Sequence, residues 1–287
     1  MEYYKQNPEQ ARAQFGDDPF DVKNIMKYWV RSKDKDMRII PTDTVYVKID
    51  KEAVRKSGML MAGDSIPDKM VISLAGKRGL GKESLMMLEM IAQCNWTRPL
   101  YIATTVAEKY YMNLGDNFVQ EGLAYRITPF TTKNPGMKNI DTEKMYNNLM
   151  NRYKWGGLEK PGLYLDETVM RMCYTHRHLF AILALALVEE NKKDKAVEVL
   201  DKCQKVIPDY NVPVTFMSAG ADMAQAYALA GQKAKAAKLL DAVWKNAEQY
   251  AVWYLSLNGS RFTQAQNDFL RQVVMLKSTA EQTLSLI

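Results

Sequence analysis

The feature that most constrains this chain is an internal repeat in its second half. A shift of 40 residues places Ala196 on Ala236 and Leu200 on Leu240. Repeats of this size are supersecondary units that bury their apolar faces only by stacking on their neighbours. The sequence therefore predicts a stack of amphipathic helices from about Asp166 to the end of the chain.

The spacing inside each copy is typical of tetratricopeptide repeats. The first-helix signature is matched by Leu183-Ala184-x-x-Leu187 and Met223-Ala224-x-x-Tyr227, and the second-helix signature by Ala196-x-x-x-Leu200 and Ala236-x-x-x-Leu240. The offset exceeds the usual spacing of about 34 residues, and we place the surplus in Asp209–Thr215. Because only two copies are visible, a plain helical bundle stays open as an alternative.

The first half mixes strand and helix patterns. The predicted strands are Val45–Ile49, Met70–Leu74, Pro99–Thr104 and Leu123–Thr128, and the predicted helices are Asp21–Arg31, Lys51–Lys56 and Lys82–Cys94. The order strand, helix, strand from Met70 to Thr104 indicates a βαβ unit with a right-handed crossover. Residues 1–20 are predicted to be irregular, and Thr131–Met137 to be a loop.

The fold class predicted from these patterns is α+β. A small N-terminal α/β domain with about four strands, residues 1–160, precedes an all-α domain of tetratricopeptide-like helical repeats, residues 161–287. The boundary is placed at the glycine- and proline-rich loop between Trp155 and Gly162. The length agrees with two domains, since 287 residues exceed a typical single domain.

Charge and composition exclude several classes of function. The net charge is +6 and the pI is near 9.0, but acidic residues interrupt most groups of lysines, so nucleic-acid binding is not expected. The longest apolar run, Leu179–Val188, is too short to span a bilayer, and the chain as given is expected to be soluble. Its polar start fits a fragment of a longer protein. Cys94, Cys173 and Cys203 provide no disulfide framework.

Two motifs resemble functional sites, a phosphate-binding loop and a metal site, but each lacks a required feature. Gly76–Lys82 has the spacing of a phosphate-binding loop, but Glu83 stands where Ser or Thr must hold magnesium. We expect a glycine-rich turn in which Glu83 complements the dipole of the following helix. Cys173, His176 and His178 cannot converge on a metal, because His178 lies about 200° around the helix from His176. Neither a metal nor a cofactor is expected.

Aromatic side chains are further candidates for a ligand surface. They would suit a carbohydrate platform, but Trp and Tyr are more often interdomain core residues whose polar ends are satisfied. Core packing is the favoured interpretation, and the carbohydrate platform is the alternative. The residues concerned are Trp96, Tyr101, Tyr110, Tyr111, Tyr125 and Trp155.

Four phrases are more specific than periodicity. They are Asn95-Trp96-Thr97-Arg98-Pro99-Leu100-Tyr101, Glu121-Gly122-Leu123-Ala124-Tyr125-Arg126, Trp155-Gly156-Gly157-Leu158, and Leu165-Asp166-Glu167 with Arg171-Met172. Together with the repeats, they resemble the C-terminal soluble part of a large bacterial multi-pass membrane family of undetermined function. That family is similar to transmembrane protein O-mannosyltransferases, and the resemblance covers nearly the whole chain.

The resemblance implies that a block of transmembrane helices precedes this chain, which would lie at the periplasmic face of the inner membrane. The acidic residues that such transferases use for lipid-linked sugar chemistry belong to that block, so no catalytic residue is assigned in this chain. The expected partner is the protein's own transmembrane domain, and a protein or peptide partner stays open. The candidate binding residues are Trp96, Arg98, Tyr101, Glu121, Tyr125, Arg126, Trp155 and Arg171.

The leading hypothesis is a non-catalytic, periplasmic accessory domain of a membrane glycosyltransferase-like protein. Whether the full-length protein is a glycosyltransferase stays open. The alternative is a free-standing tetratricopeptide-type adaptor that binds a peptide or protein. An independent enzyme in the α/β half is the least supported hypothesis.

An adaptor would bind its ligand in a groove formed by the first helix of each repeat. A groove for a peptide carboxylate needs cations, because a buried anion must be paired, and only a protonated His178 would supply one. We therefore expect the chain to fill the concavity itself, with the α/β domain or the final helix around Phe269–Leu276. The groove positions are His178, Ala181, Leu185, Val188, Glu189, Ser218, Ala221, Gln225, Ala228 and Leu229.

Overall fold

The computed structural model describes residues 8–16, 18, 20–36, 38–40, 42–61, 63–77, 79–131 and 139–285. The chain divides into two compact units, an N-terminal unit (Met1–Asp141) and a C-terminal unit (Thr142–Ile287). Small sheets lie in the N-terminal half and the C-terminal region is helical, so the predicted α+β class is confirmed. The domain boundary at residues 160/161 stays a prediction, because compactness in space does not establish independent folding.

Besides two short 3-10 helices at Glu108–Tyr110 and Gly115–Asn117, the described part of the N-terminal unit contains four α-helices. They are α1 (Pro8–Phe15), α2 (Val22–Asn24, continuing as a π-helical segment Ile25–Val30), α3 (Lys51–Lys56) and α4 (Lys82–Gln93). Helix α2 begins at Asp21, whose carboxylate accepts a hydrogen bond of 2.9 Å from the backbone N–H of Lys23. The irregular start predicted for residues 1–20 is wrong at α1, where the ring of Phe15 stacks on Trp29 at 4.7 Å.

Six strands form two separate sheets in the described part of this unit. Strands β1 (Thr44–Lys48) and β2 (Lys69–Ser73) pair antiparallel. Strands β3 (Tyr101–Ala103), β4 (Phe118–Gln120), β5 (Ala124–Ile127) and β6 (Asn139–Ile140) form the second sheet in the order β3-β5-β4-β6. In that sheet only the β4–β6 pair is parallel. The predicted loop Thr131–Met137 lies, apart from Thr131, outside the described residues.

The predicted βαβ unit is wrong, because α4 connects strands of different sheets. Two left-handed residues, Asn95 (φ 48°) and Trp96 (φ 59°), turn the chain after α4. Strand β3 then joins the second sheet at its edge, with Tyr101 half exposed, although its apolar sequence is typical of a strand covered on both faces. One face of the β1–β2 sheet is also open, since Val71 is 62% exposed while its neighbours on both sides are buried.

The C-terminal unit is a series of helices. They are α5 (Thr142–Asn147, continuing as a π-helical segment Asn148–Arg152), α6 (Glu167–Glu189), α7 (Lys193–Val206), α8 (Gly220–Leu229), α9 (Lys233–Leu255) and α10 (Gly259–Leu284). Helix α6 packs against α7 and α8, and α9 packs against α8 and α10. The chain therefore forms two successive helix pairs, α6 with α7 and α8 with α9, as the repeat pattern predicts.

Small residues line the contacts within these helix pairs. Ala184, Ala196, Ala224 and Ala236 are all buried, which permits close approach of the helix backbones. Tyr227, at the tyrosine position of the second signature, is buried and donates a 2.6 Å hydrogen bond to Asp201. The helix pairing agrees with the spacing, while the tetratricopeptide assignment itself stays a prediction.

Candidate functional site

The main polar cluster of the N-terminal unit lies on one face of the four-stranded sheet. Tyr101 on β3 stands directly opposite Arg126 on β5, so both side chains point to the same face. Glu121 follows β4, and Asp141 follows β6, with its backbone N–H bonded to Gln120 O at 3.0 Å. We call Tyr101, Glu121, Arg126 and Asp141 the polar cluster.

Arg126 is the centre of the polar cluster and is only 3% exposed. Its Nη1 lies 2.8 Å from Glu121 Oε1, and its Nη2 lies 3.8 Å from Asp141 Oδ2. The same guanidinium donates to the backbone oxygens of Gly58 (3.4 Å) and Met59 (3.1 Å), just beyond the end of α3. Arg126 therefore ties the segment after α3 to the sheet.

The remaining groups of the polar cluster serve the same internal contacts. The phenol of Tyr101 donates to Glu121 Oε2 at 2.8 Å. Burial, and then this hydrogen bond, raise the pKa of Tyr101 to about 12, so the phenol is a proton donor at neutral pH and not a base. Within the polar cluster, whose four residues are all described, Nε of Arg126 is the one buried side-chain polar atom without a hydrogen-bond partner. The cluster is organised to hold the sheet, with its carboxylates paired to protein groups.

Three other candidate residues of this unit lie outside the polar cluster. Trp96 is 1% exposed and belongs to the apolar core, so it is not available to a ligand. Tyr125 points to the opposite face of the sheet, where its ring stacks on Phe118 with centroids 5.9 Å apart. Arg98 is exposed in the turn before β3.

The glycine-rich segment forms a turn at the start of α4. The carboxylate of Glu83 folds back onto Gly81 and occupies the space that a side chain there would need. This negative charge lies where a phosphate would have to sit, at the N-terminal end of the helix dipole. A neighbouring cavity of about 590 Å³ is lined by Glu83, Ser84, Met87, Ile102, Val106 and Tyr110.

The comparison with known proteins concerns mainly this unit. The family model of the TMEM260-associated domain 2 matches residues 2–144. The match suggests a TMEM260-like family. That family is related to O-mannosyltransferases. No curated protein and no solved structure is similar enough to the chain to count as a match.

The TMEM260-associated match includes the whole polar cluster and ends at the start of α5. Two candidate residues lie beyond it, in the C-terminal unit. Trp155 packs on Phe180 and His176 of α6, with ring centroids 5.2 and 5.7 Å away. Arg171 is exposed on α6 and pairs with Glu167 one turn earlier. The eight candidate residues therefore do not form one site, and three of them, Tyr101, Glu121 and Arg126, are brought together.

A second buried arginine was not predicted from the sequence. Arg177 of α6 is 1% exposed and donates from Nη2 to Ile207 O (2.9 Å) and Val212 O (2.6 Å). Its Nη1 donates to Pro213 O (3.0 Å) and Ser218 Oγ (2.9 Å). Burial lowers the pKa of Arg177, although the group stays charged at neutral pH. The signal was its position, four residues after Cys173 on the core-facing side of α6.

The predicted ligand groove is only partly open. Ala181 and Ala221 are buried, while Gln225 and Leu229 are exposed. A groove of about 360 Å³ remains, and its lining includes Ala224, Gln225, Ala228, Leu229, Gln282 and Ser285. The final helix therefore reaches this groove with its last turn, and the filling of the rest of the concavity by the α/β domain or by Phe269–Leu276 stays a prediction.

No group of three or more His, Cys, Asp or Glu side chains within the described ranges could hold a metal ion. Likewise, none of the helices that the structure describes is both long and apolar enough to cross a membrane.

Proposed function

We propose that this chain is a non-catalytic accessory domain of a membrane glycosyltransferase-like protein, positioned at the periplasmic face of the inner membrane. The observation that carries the proposal is the TMEM260-associated match over residues 2–144, which agrees with an accessory domain of a membrane protein. The partner is the protein's own transmembrane block, which would carry the sugar chemistry.

The side chains of the polar cluster bind one another, which supports a non-catalytic role. A general acid or base must face the substrate with a pKa near the working pH. In the polar cluster, Glu121 binds Arg126 and Tyr101, and the pKa of Tyr101 is raised to about 12. These groups are suited to stabilising the fold on which a membrane domain docks.

The reading frame and the topology of the full-length protein test this proposal. We expect many hydrophobic spans upstream of Met1, and we expect alkaline phosphatase fused after Ile287 to be active in the periplasm. An upstream sequence without spans, or an inactive phosphatase fusion next to an active cytoplasmic reporter, contradicts the proposal.

A transfer assay tests the non-catalytic role. Membranes with the full-length protein should transfer sugar from a lipid-linked donor if the parent is a glycosyltransferase. The isolated chain of 287 residues should show no transfer with the same donor. Sugar transfer by the isolated chain would assign the chemistry to this domain and overturn its accessory role.

The second candidate function is a peptide- or protein-binding adaptor, which the open part of the helical groove favours. Leu229 is 50% exposed at this groove, and Leu270 is 48% exposed on α10, away from it. In a peptide-array experiment with the isolated chain, an adaptor would lose binding with Leu229→Ser and keep it with Leu270→Ser. Binding that follows this pattern, in a protein without upstream spans, would favour the adaptor.

A further inference from the structure

The last turns of α9, just before the chain turns into α10, carry several exposed apolar side chains. We call residues 249–260 the hairpin tip. Its four most exposed large apolar residues are Tyr250 (48%), Val252 (62%), Trp253 (53%) and Leu255 (62%). The face of a helix that meets water is normally polar. Side chains of this kind are therefore expected to have a contact outside the chain.

The charge pattern around the hairpin tip is equally unusual. Charged residues make up 25% of the chain, yet between Glu248 and Asp268 the only one is Arg261. Arg261 is exposed, and none of the ion pairs among the described residues includes it. The tip itself thus contains no charged residue, Arg261 follows it directly, and the nearby Asp268 is paired with Arg271.

The hairpin tip extends past the start of α8. Gly220, the first residue of α8, lies against Val243 of α9. Helix α9 continues for another twelve residues to Leu255, about 18 Å at 1.5 Å per residue. Helix α9 also packs against α10, and Ala251 is buried. Tyr250 lies near Tyr174 of α6, while Val252, Trp253 and Leu255 are exposed to solvent.

Aromatic contacts stiffen the hairpin tip. The ring of Tyr254 lies 4.8 Å from Trp253 and 6.5 Å from Tyr250, measured between centroids. The tip therefore presents a pre-formed aromatic and aliphatic wedge, held by a helical hairpin.

We propose that the hairpin tip inserts into the interfacial region of a lipid bilayer. Trp and Tyr favour the headgroup level, and Val and Leu favour the acyl boundary below it. The lone cation, Arg261, suits anionic headgroups. A second copy of the chain fits less well, because the four side chains expose on the order of 500 Å², below the roughly 800 Å² that each partner buries in a standard interface.

This inference rests on the tip itself and goes beyond the proposed function, so the two can fail separately. The test uses the full chain with large unilamellar vesicles of phosphatidylcholine and phosphatidylglycerol, and with phosphatidylcholine alone. We expect flotation with the vesicles at millimolar lipid, stronger on the anionic composition. Brominated lipids should quench the chain's fluorescence, and Trp253→Phe should remove that quenching.

Matched variants separate the tip from general stickiness. Val252→Ser with Trp253→Ser should weaken vesicle partitioning about tenfold or more, which corresponds to about 1.4 kcal/mol. Val273→Ser with Val274→Ser removes apolar residues of similar exposure (42% and 57%) from α10, and should leave partitioning within about twofold. Arg261→Glu should weaken binding to the anionic vesicles only. Unchanged circular dichroism and melting temperature establish that each variant is folded.

Three results would overturn the proposal. The first is no flotation of the wild-type chain with either vesicle composition, whatever the reading frame shows. The second is equal loss of binding in the tip pair and the α10 pair. The third is a concentration-dependent dimer that the tip pair dissociates while vesicle binding is unaffected, which assigns the tip to self-association.

Discussion

Each unit of this protein contains one buried arginine among its described residues, and the two arginines have different partners. Arg126 in the N-terminal unit contacts the carboxylates of Glu121 and Asp141 as well as two backbone oxygens. Arg177 in the C-terminal unit contacts three backbone oxygens and one hydroxyl. Among the described residues, no carboxylate lies within ion-pair distance of Arg177. The first is an ion pair and the second is a cation solvated by dipoles.

This difference determines what remains when the arginine is removed. Without Arg126, a buried carboxylate loses its counter-ion, which is the costly way to break a buried ion pair. Without Arg177, only neutral acceptors are left, and the segment that carries them can open towards water. The comparison predicts a larger stability loss in the N-terminal unit, although Arg177 makes as many hydrogen bonds.

The largest expected effect is that of Arg126→Met. It should lower the free energy of unfolding by about 3–5 kcal/mol, because Glu121 remains buried and unpaired by a cation. Urea denaturation followed by circular dichroism measures the loss. Arg98→Met is the matched control, since Arg98 is exposed nearby, and it should change stability by less than about 0.5 kcal/mol.

A second change tests the reason for that loss. Glu121→Gln in the Arg126→Met background removes the charge that was left unpaired, so it should recover part of the lost stability. The double-mutant coupling energy should be about 0.5–3 kcal/mol. Additive effects of the two substitutions would mean that the ion pair is not what makes Arg126 important.

The next largest effect is that of Arg177→Met, for which we expect a loss of about 2–4 kcal/mol from unsatisfied acceptors. Lysine should not substitute, because one ammonium group cannot reproduce the two-sided fork of the guanidinium. Arg171→Met, on the exposed side of the same helix, is the control and should be nearly neutral. A larger loss for Arg177→Met than for Arg126→Met would break the comparison between the two units.

Sequence patterns predicted local structure better than they predicted partners. The strands at Val45 and Met70 and the helix from Lys82 begin within one residue of their observed starts, because alternation and amphipathic spacing report burial directly. The pairing of strands is decided by distant residues. The apolar run Pro99–Thr104 predicts a strand but not its position in a sheet. The half-exposed Tyr101 at a sheet edge, and with it the arrangement in two sheets, therefore could not be inferred.

The hydrogen-bond partners of the two arginines also could not be predicted from the sequence. Arg126 was a candidate because it stands in a specific phrase with Glu121, but the link to Gly58 and Met59 spans a large sequence separation. Arg177 was not a candidate, because a cation is assigned to the surface by default. Two features of the sequence could have indicated its role. Arg177 lies on the core-facing side of α6, and the surplus residues of the repeat, Asp209–Thr215, had no assigned partner; Arg177 bonds to backbone oxygens in that segment.

The segment between the two helix pairs, residues 207–219, is held by Arg177, and close packing at Gly220 is a second possible restraint. A methyl group at Gly220 would meet Val243 and Val214 side chains and the backbone oxygen of Thr215, each within 3 Å. Gly220→Ala should therefore cost about 1–3 kcal/mol through overpacking. Thermal or urea unfolding measures it.

The control for Gly220→Ala is Gly259→Ala. Gly259 is also the first residue of a helix, but it has open space around it, so alanine should be neutral or slightly stabilising. Equal effects of the two substitutions would exclude close packing at Gly220 as a cause. Arg177 would then be the main restraint on this segment.

The smallest expected effect is that of removing the Tyr101 phenol, which tests how much its hydrogen bond contributes to holding Glu121. Tyr101→Phe removes one hydrogen bond to Glu121, and because Tyr101 is half exposed we expect the free energy of unfolding to fall by about 0.5–1.5 kcal/mol at pH 8.

The pKa of Tyr101 is raised in the folded state to about 12, from an unfolded value of about 10. Its stabilising contribution is therefore complete below about pH 10 and is lost as the pH rises towards about 12. The stability difference between wild type and Tyr101→Phe should shrink between pH 8 and pH 11, while Tyr164→Phe, at a tyrosine 91% exposed, should leave stability unchanged at both. A difference that stays constant over this range would show that the phenol acts through packing, and that Arg126 alone holds Glu121.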